Sequence, residues 1–155
     1  MISGFDSKLV ALIESHPSTL VGTCDKALVP CIARAFGARV LGGSSGFEML
    51  VSRWPGSQTI GNLELSDRIA VTFTSPETFE AYQVKGRARV LGDCDADDME
   101  LSSAYTAAVR ARVVALGELP ELVKITFSPR GLFKIRVDAE TVFLQTPGKN
   151  AGARL

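Results

Sequence analysis

The chain carries a single histidine, His16, and three cysteines, Cys24, Cys31 and Cys94, among 155 residues. One imidazole, placed directly before Pro17, supplies neither a His-based metal site nor a Ser-His-Asp relay. A basic side chain near a helix C-terminus is favoured by the helix dipole, and His16 reads as such a residue. An odd number of cysteines with no CxxC pair excludes a disulfide framework and a structural zinc site. All three read as reduced thiols, Cys24 and Cys31 as small buried hydrophobes within strand-like runs. Charge of one sign is lacking too: 17 Lys and Arg balance 17 Asp and Glu. No net field draws the protein to nucleic acid or to an anionic membrane. No window reaches the ~18 apolar residues of a membrane span, and residues 1–13 lack the basic, apolar and small-residue succession of a signal peptide. The expectation is a cytoplasmic protein.

What is present is ordinary for a globular chain, with 46% hydrophobic and 22% charged residues. The length suits one domain spanning residues 1–155, with a C-terminal tail from about residue 146. Phe5, Leu9, Leu12 and Ile13 at helical spacing, with Asp6 as cap and Pro17 beyond, predict a short helix over 5–15. Aliphatic runs over 18–24 and 29–36 flank Asp25-Lys26 as a hairpin, and 39–41 and 47–52 form a second around Gly42-Gly43-Ser44-Ser45-Gly46. That glycine-rich turn lacks the Walker spacing and lysine, so its role is to reverse the chain.

A helix follows over 58–65 with Ser57 as cap, then strands over 68–74 and 79–91. Gly86, inside the second of these, reads as a bulge or the close approach of a ligand. The alanine-rich run 95–116 predicts the longest helix, ended by Gly117. Strands over 123–128 and 132–137 and an extended 141–145 complete a mostly antiparallel barrel with flanking helices. Asp93, Asp95, Asp97 and Asp98 lack EF-hand spacing and read as a solvated helix start.

With no acid-base pair evident, the chemistry-bearing stretch is the run from strand 47–52 through Arg53-Trp54-Pro55-Gly56-Ser57-Gln58-Thr59 into a helix. Exposed amides of a helix start, the Ser57 and Thr59 hydroxyls and the Arg53 guanidinium suit an anion; a plain helix cap is the alternative. Trp54 either stacks on an aromatic ligand or covers the barrel end. Lys85, Arg87 and Arg89 alternate along one strand face, solvated or, together with Gln83, in reach of a ligand.

In order and spacing, over about Ser7 to Gly148, these runs resemble the FMN-binding split-barrel family that includes pyridoxamine 5'-phosphate oxidase. The carrying segments are Pro30-Cys31-Ile32-Ala33-Arg34, Ser57-Gln58-Thr59-Ile60-Gly61-Asn62-Leu63 ahead of Asp67-Arg68-Ile69-Ala70-Val71, Gln83-Val84-Lys85-Gly86-Arg87-Ala88, and Gln145-Thr146-Pro147-Gly148. The resemblance implies a six-stranded antiparallel split β-barrel with flanking helices, a homodimer with clefts at the subunit interface, and FMN in each cleft. It implies that the phosphate meets Arg53, Ser57, Gln58 and Thr59, that the ring lies along Arg34, Ala35 and Phe36, and that Gln83 and Lys85 close the site. Many relatives carry Arg-Lys where this chain has Gln58 and Thr59, which leaves Arg34 or Arg53 to supply the charge.

The flavin would perform the hydride chemistry, so no catalytic side chain is required. The expected function is that of an FMN-binding oxidoreductase acting on a small molecule. It is not expected to be a pyridoxamine phosphate oxidase itself, because the chain reaches Leu155 without the basic C-terminal region with which those enzymes grip their substrate. The alternative is a non-catalytic dimeric binding protein for haem, a deazaflavin or another planar ligand.

Overall fold

The computed structural model describes residues 4–42, 45–54 and 57–155, with Ser57 described by its backbone alone. Helix α1 (Ser7–Glu14) starts where the Asp6 carboxylate accepts the Leu9 amide at 2.8 Å. It turns Leu9, Leu12 and Ile13 inward, and ends before His16, whose φ of 56° redirects the chain. Six strands follow: β1 (Ser18–Cys24), β2 (Pro30–Val40), β3 (Gly46–Ser52), β4 (Arg68–Thr74), β5 (Ala81–Asp93) and β6 (Leu132–Leu144). They close into an antiparallel barrel in the order β1-β2-β3-β6-β5-β4. Every second side chain turns inward, as the pleat dictates, so Val21, Met49, Val71, Phe73, Val84, Phe133 and Ile135 fill the interior. Helix α2 (Ser57–Leu65) lies against β1 and β5, while α3 (Ala96–Ala115) packs on β2 and α4 (Pro120–Thr126) on α3.

The two runs 29–36 and 39–41 are one strand, β2, bulged between Ala35 and Ala38. Gly37 makes the bulge possible, since its φ is +130° and a Cβ there would meet Leu101 Cγ at 3.0 Å. The bulge resets the alternation. Ala33 and Ala35 face the barrel core, whereas Phe36 joins a second core with Tyr105, Val109, Val123 and Phe127. The pieces 132–137 and 141–145 likewise belong to one strand, β6.

Three expectations are corrected. The stretch 123–128 is not a strand: residues through Thr126 are the end of α4, with Pro120 at its start, Glu121 in its first turn and Lys124 in its last. Those are favourable places for each, and they outweigh the β-branched run. Gly86 does mark a register shift, but what approaches it closely is the β6 backbone; a Cβ would sit 2.2 Å from the Asp138 carbonyl oxygen. The aspartate cluster is not wholly solvated. Asp95 and Asp98 form a reciprocal capping box, and Asp98 is fully buried between Arg39 Nη2 and Lys134 Nζ, each at 2.7 Å.

Beyond Asp138, β6 outruns its partner β3, and the tail covers the exposed edge: the Leu144 amide donates to Ala153 O and the Leu155 amide to Val142 O, both at 2.9 Å. Among the described residues no helix is long and apolar enough to cross a membrane. The centre of the turn over 42–46, at Gly43 and Ser44, and Pro55-Gly56 ahead of α2 lie outside the described residues.

Candidate functional site: a cleft between the barrel and helix 4

A cleft of about 380 Å³ opens where the outer faces of β1 and β2 meet the end of β3, α4 and the loop that follows it. Leu20 and Ile32 form one apolar wall, Phe36 part of the floor, Trp54 and Ile125 the rim, and Arg34 and Arg130 the charged lining. Arg34 is half-buried, donates from Nη1 to Ser18 Oγ at 3.1 Å, and lies 4.6 Å above the Phe127 ring centroid. Burial pushes its pKa below the usual guanidinium value. An arginine nonetheless keeps its charge in a protein, so the cleft holds a partly desolvated cation. Beneath it, Tyr105 meets the Phe36 ring edge-on at 6.1 Å, and burial raises its phenol to about 12, leaving it neutral.

The walls are fixed by Arg110, which lies outside the lining, and by Ser52, which belongs to it. Arg110 on α3 donates to Phe127 O, at 2.9 Å from Nε and 2.6 Å from Nη2, and to Ser128 Oγ at 2.8 Å, closing the last carbonyls of α4. Ser52 donates to Trp54 O at 2.9 Å and accepts the Arg130 amide at 3.0 Å, which ties the loop after α4 to the end of β3. Among the described residues, the lining includes no Asp or Glu, and no His, Cys, Met or Tyr.

The residues singled out from sequence separate into groups. Arg34, Phe36 and Trp54 meet in the cleft, with Trp54 60% exposed. Ala35 lies inside the barrel, on the opposite face of β2 from Arg34. Arg53 pairs with Asp93 at 2.9 Å, its guanidinium 5.5 Å from the Phe133 ring centroid, and it does not line the cleft. Ser57 is the first residue of α2 and Gln58 is exposed, whereas Thr59 is fully buried with its hydroxyl 3.8 Å from Cys31 Sγ. Gln83 and Lys85 lie on the outer face of β5, Gln83 donating to Thr72 Oγ1 at 3.4 Å and Lys85 Nζ 5.2 Å from the Phe143 ring centroid.

Register connects them to the cleft: Gln83 pairs with Thr72, Thr72 with Leu20, and Leu20 with Arg34. That row runs three strand spacings, about 14 Å, around one outer face.

Sequence reasoning did not find Leu20, Ile32, Ser52, Ile125, Thr126, Ser128 or Arg130. Leu20 and Ile32 carried a usable signal, being apolar residues on the outward phase of alternating strands. Ile125 was concealed by reading α4 as a strand, and Arg130 by its place within a Pro-Arg-Gly turn.

A closed antiparallel barrel whose cleft lies between an outer strand face and a short helix defines a split-barrel protein. The chain belongs to the pyridoxamine 5'-phosphate oxidase family, whose model matches residues 5–143. No curated protein matches the chain in sequence. Among solved structures, a putative pyridoxamine 5'-phosphate oxidase from Lactobacillus delbrueckii is 18% identical, with 92% of this chain and 95% of that one covered at a TM-score of 0.57. A pyridoxamine 5'-phosphate oxidase-related, FMN-binding protein from Nostoc punctiforme is 12% identical, with coverages of 97% and 89% and a TM-score of 0.56. HutZ, a haem storage protein from Vibrio cholerae, is also 12% identical, with coverages of 91% and 94% and a TM-score of 0.50. At such identities the likeness is one of fold.

Proposed function

We propose that the protein binds FMN in this cleft, as a homodimer, and serves as a flavin-dependent oxidoreductase on a small-molecule substrate. The observation that carries the reading is the pairing, in one cleft, of apolar and aromatic walls with a partly desolvated arginine that has no carboxylate partner among the described residues. Planar, anion-bearing ligands need both. Phe36, Leu20, Ile32 and Trp54 would hold the ring, and the arginine side the phosphate. Bound flavin supplies hydride transfer; the protein's part is to hold the ring and exclude water from one face.

The outer face of β1 and β2 supports the homodimer. Ile32 is 66% and Leu20 40% exposed, beside Gly22 and the half-buried Ala70 on adjacent strands. A second copy on this face would cover apolar side chains that otherwise meet water. It would also bring the Gln83 and Lys85 side of one subunit toward the cleft of the other.

Protein incubated with excess FMN and freed of unbound flavin is expected to quench flavin fluorescence saturably at one FMN per chain. Light scattering on the same sample is expected to give twice the 16.6 kDa chain mass. A folded protein that shows no saturable binding would rule the FMN reading out. The likeness to HutZ favours haem as the second ligand to test. The lining residues offer no histidine, cysteine, methionine or tyrosine to iron, so a haem held here would show the spectrum of iron without an axial ligand from them.

A further inference from the structure

We propose that residues 118–128, with α4 at their centre, are a lid whose opening admits and releases the ligand of the cleft, and that Arg110 is its latch. The inference rests on the cleft being a ligand site, as argued above, but not on the ligand being FMN.

The two ends of this segment differ. Gly117, just past α3, has a φ of +102°, and a Cβ there would meet no atom within 4 Å, so the chain turns in open space in a conformation that other residues resist. The far end is anchored instead: the Arg130 amide donates to Ser52 Oγ at 3.0 Å, and Gly131 O accepts the Arg53 amide at 2.7 Å. From Leu119 to Pro129, among the described residues, no backbone group bonds to a barrel strand. A free pivot and a fixed one thus bracket a stretch that the sheet does not hold.

Packing holds it lightly as well. Val123 and Phe127 are buried, whereas Leu119, Leu122 and Ile125 each keep more than half of their surface in water. The N-cap of α4, Leu119, has no side chain able to close the helix start, and no such bond is made. Yet this segment supplies Ile125, Thr126 and Ser128 to the cleft. One wall of the site therefore belongs to an element with few buried apolar groups, the kind that opens locally before the rest of a fold.

What closes the wall is Arg110. From α3 its guanidinium gathers Phe127 O, Lys124 O and Ser128 Oγ, three acceptors of the last turn of α4 and the residues after it. Phe127 links this latch to the cleft, because Arg110 holds its carbonyl while the cleft-lining Arg34 lies 4.6 Å above its ring. Swinging the segment outward withdraws Phe127 from Phe36, which forms part of the cleft floor.

The test is hydrogen exchange at the Val123 and Phe127 amides, which donate to Leu119 O and Val123 O within the segment. In the free protein both should exchange faster than the strand amides of the barrel. Arg110→Met should speed them about tenfold further, the worth of a lost charge-assisted bond, with the strand amides unchanged. FMN at a hundred times its Kd should slow them about a hundredfold, since an opening that releases ligand must wait for the ligand to leave. FMN dissociation, followed by stopped-flow fluorescence, should be faster in Arg110→Met than in the wild type. Exchange of the two amides at the strands' rate would overturn the lid, as would an Arg110→Met effect spread evenly over the barrel. Saturable FMN binding that leaves their exchange unchanged would also overturn it, with the flavin reading intact. If FMN does not bind, that reading falls, and locally fast exchange that depends on Arg110 still supports the movable wall. Should Arg110→Met fail to fold, Ser128→Ala removes one of the latch's acceptors and should speed the same two amides by a smaller factor.

Discussion

Replacing Asp98 with asparagine is expected to destabilise the protein by about 3 kcal/mol, at the lower end of the range for breaking a buried ion pair. The Asp98 side chain has no exposed surface, and it receives Arg39 Nη2 and Lys134 Nζ at 2.7 Å each and the Asp95 amide at 3.1 Å. Asparagine keeps the size and one acceptor oxygen but removes the charge that two cations share. The loss stays near 3 rather than 5 kcal/mol because Arg39 retains Glu48 and Lys134 retains Asp95. Urea unfolding should show a lower midpoint with an unchanged slope. A loss under about 1 kcal/mol would reduce this pair to the worth of a surface contact.

Gly86→Val is expected to be at least as severe, about 3 kcal/mol or more, because the clash is with main chain and no side chain can move aside. A Cβ at Gly86 would stand 2.2 Å from Asp138 O and 3.0 Å from Ala139 Cα. Relief requires β5 and β6 to part at the register shift between Lys85 and Gly86. Thermal unfolding measures the loss, and hydrogen exchange should place the added opening in β5 and β6. A variant as stable as the wild type would mean that the shift relaxes freely, and the close approach would carry no structural weight.

Much of the barrel was legible because period-two alternation survives wherever a strand has one face in the core. The bounds of β1 and β4 follow directly from it, and the start of α1 from Asp6. Elements failed where a distant partner decided. Val123, Ile125 and Thr126 favour a strand locally, yet Val123 packs with Phe36 and Tyr105, and only a helix can turn it there while Pro120 starts the turn. Asp98 looks solvated within its own helix because the cations that bury it come from β2 and β6. The site divides the same way. Arg34, Phe36 and Trp54 were readable from one strand and its neighbour, whereas Arg130 and Ile125 reach the cleft only through α4, whose existence the sequence pattern hid.

The barrel's closing seam has a kinetic consequence. β3 pairs with β6, Phe47 opposite Val137, across the whole stretch that contains α2, β4, β5, α3 and α4. Joining such distant segments carries a loop-closure cost that local hairpins avoid, so the seam should form after the β4–β5 and β1–β2 pairs, on the millisecond-to-second scale of non-local β folds. A refolding experiment with flavin present should therefore show ligand quenching lagging the early circular-dichroism change. One wall of the cleft comes from β2 and the end of β3, the other from α4 and the loop leading into β6. Until the seam closes, Ser52 at the end of β3 and Arg130 in the loop before β6 are not held together, so the cleft is incomplete and ligand capture follows a late folding event.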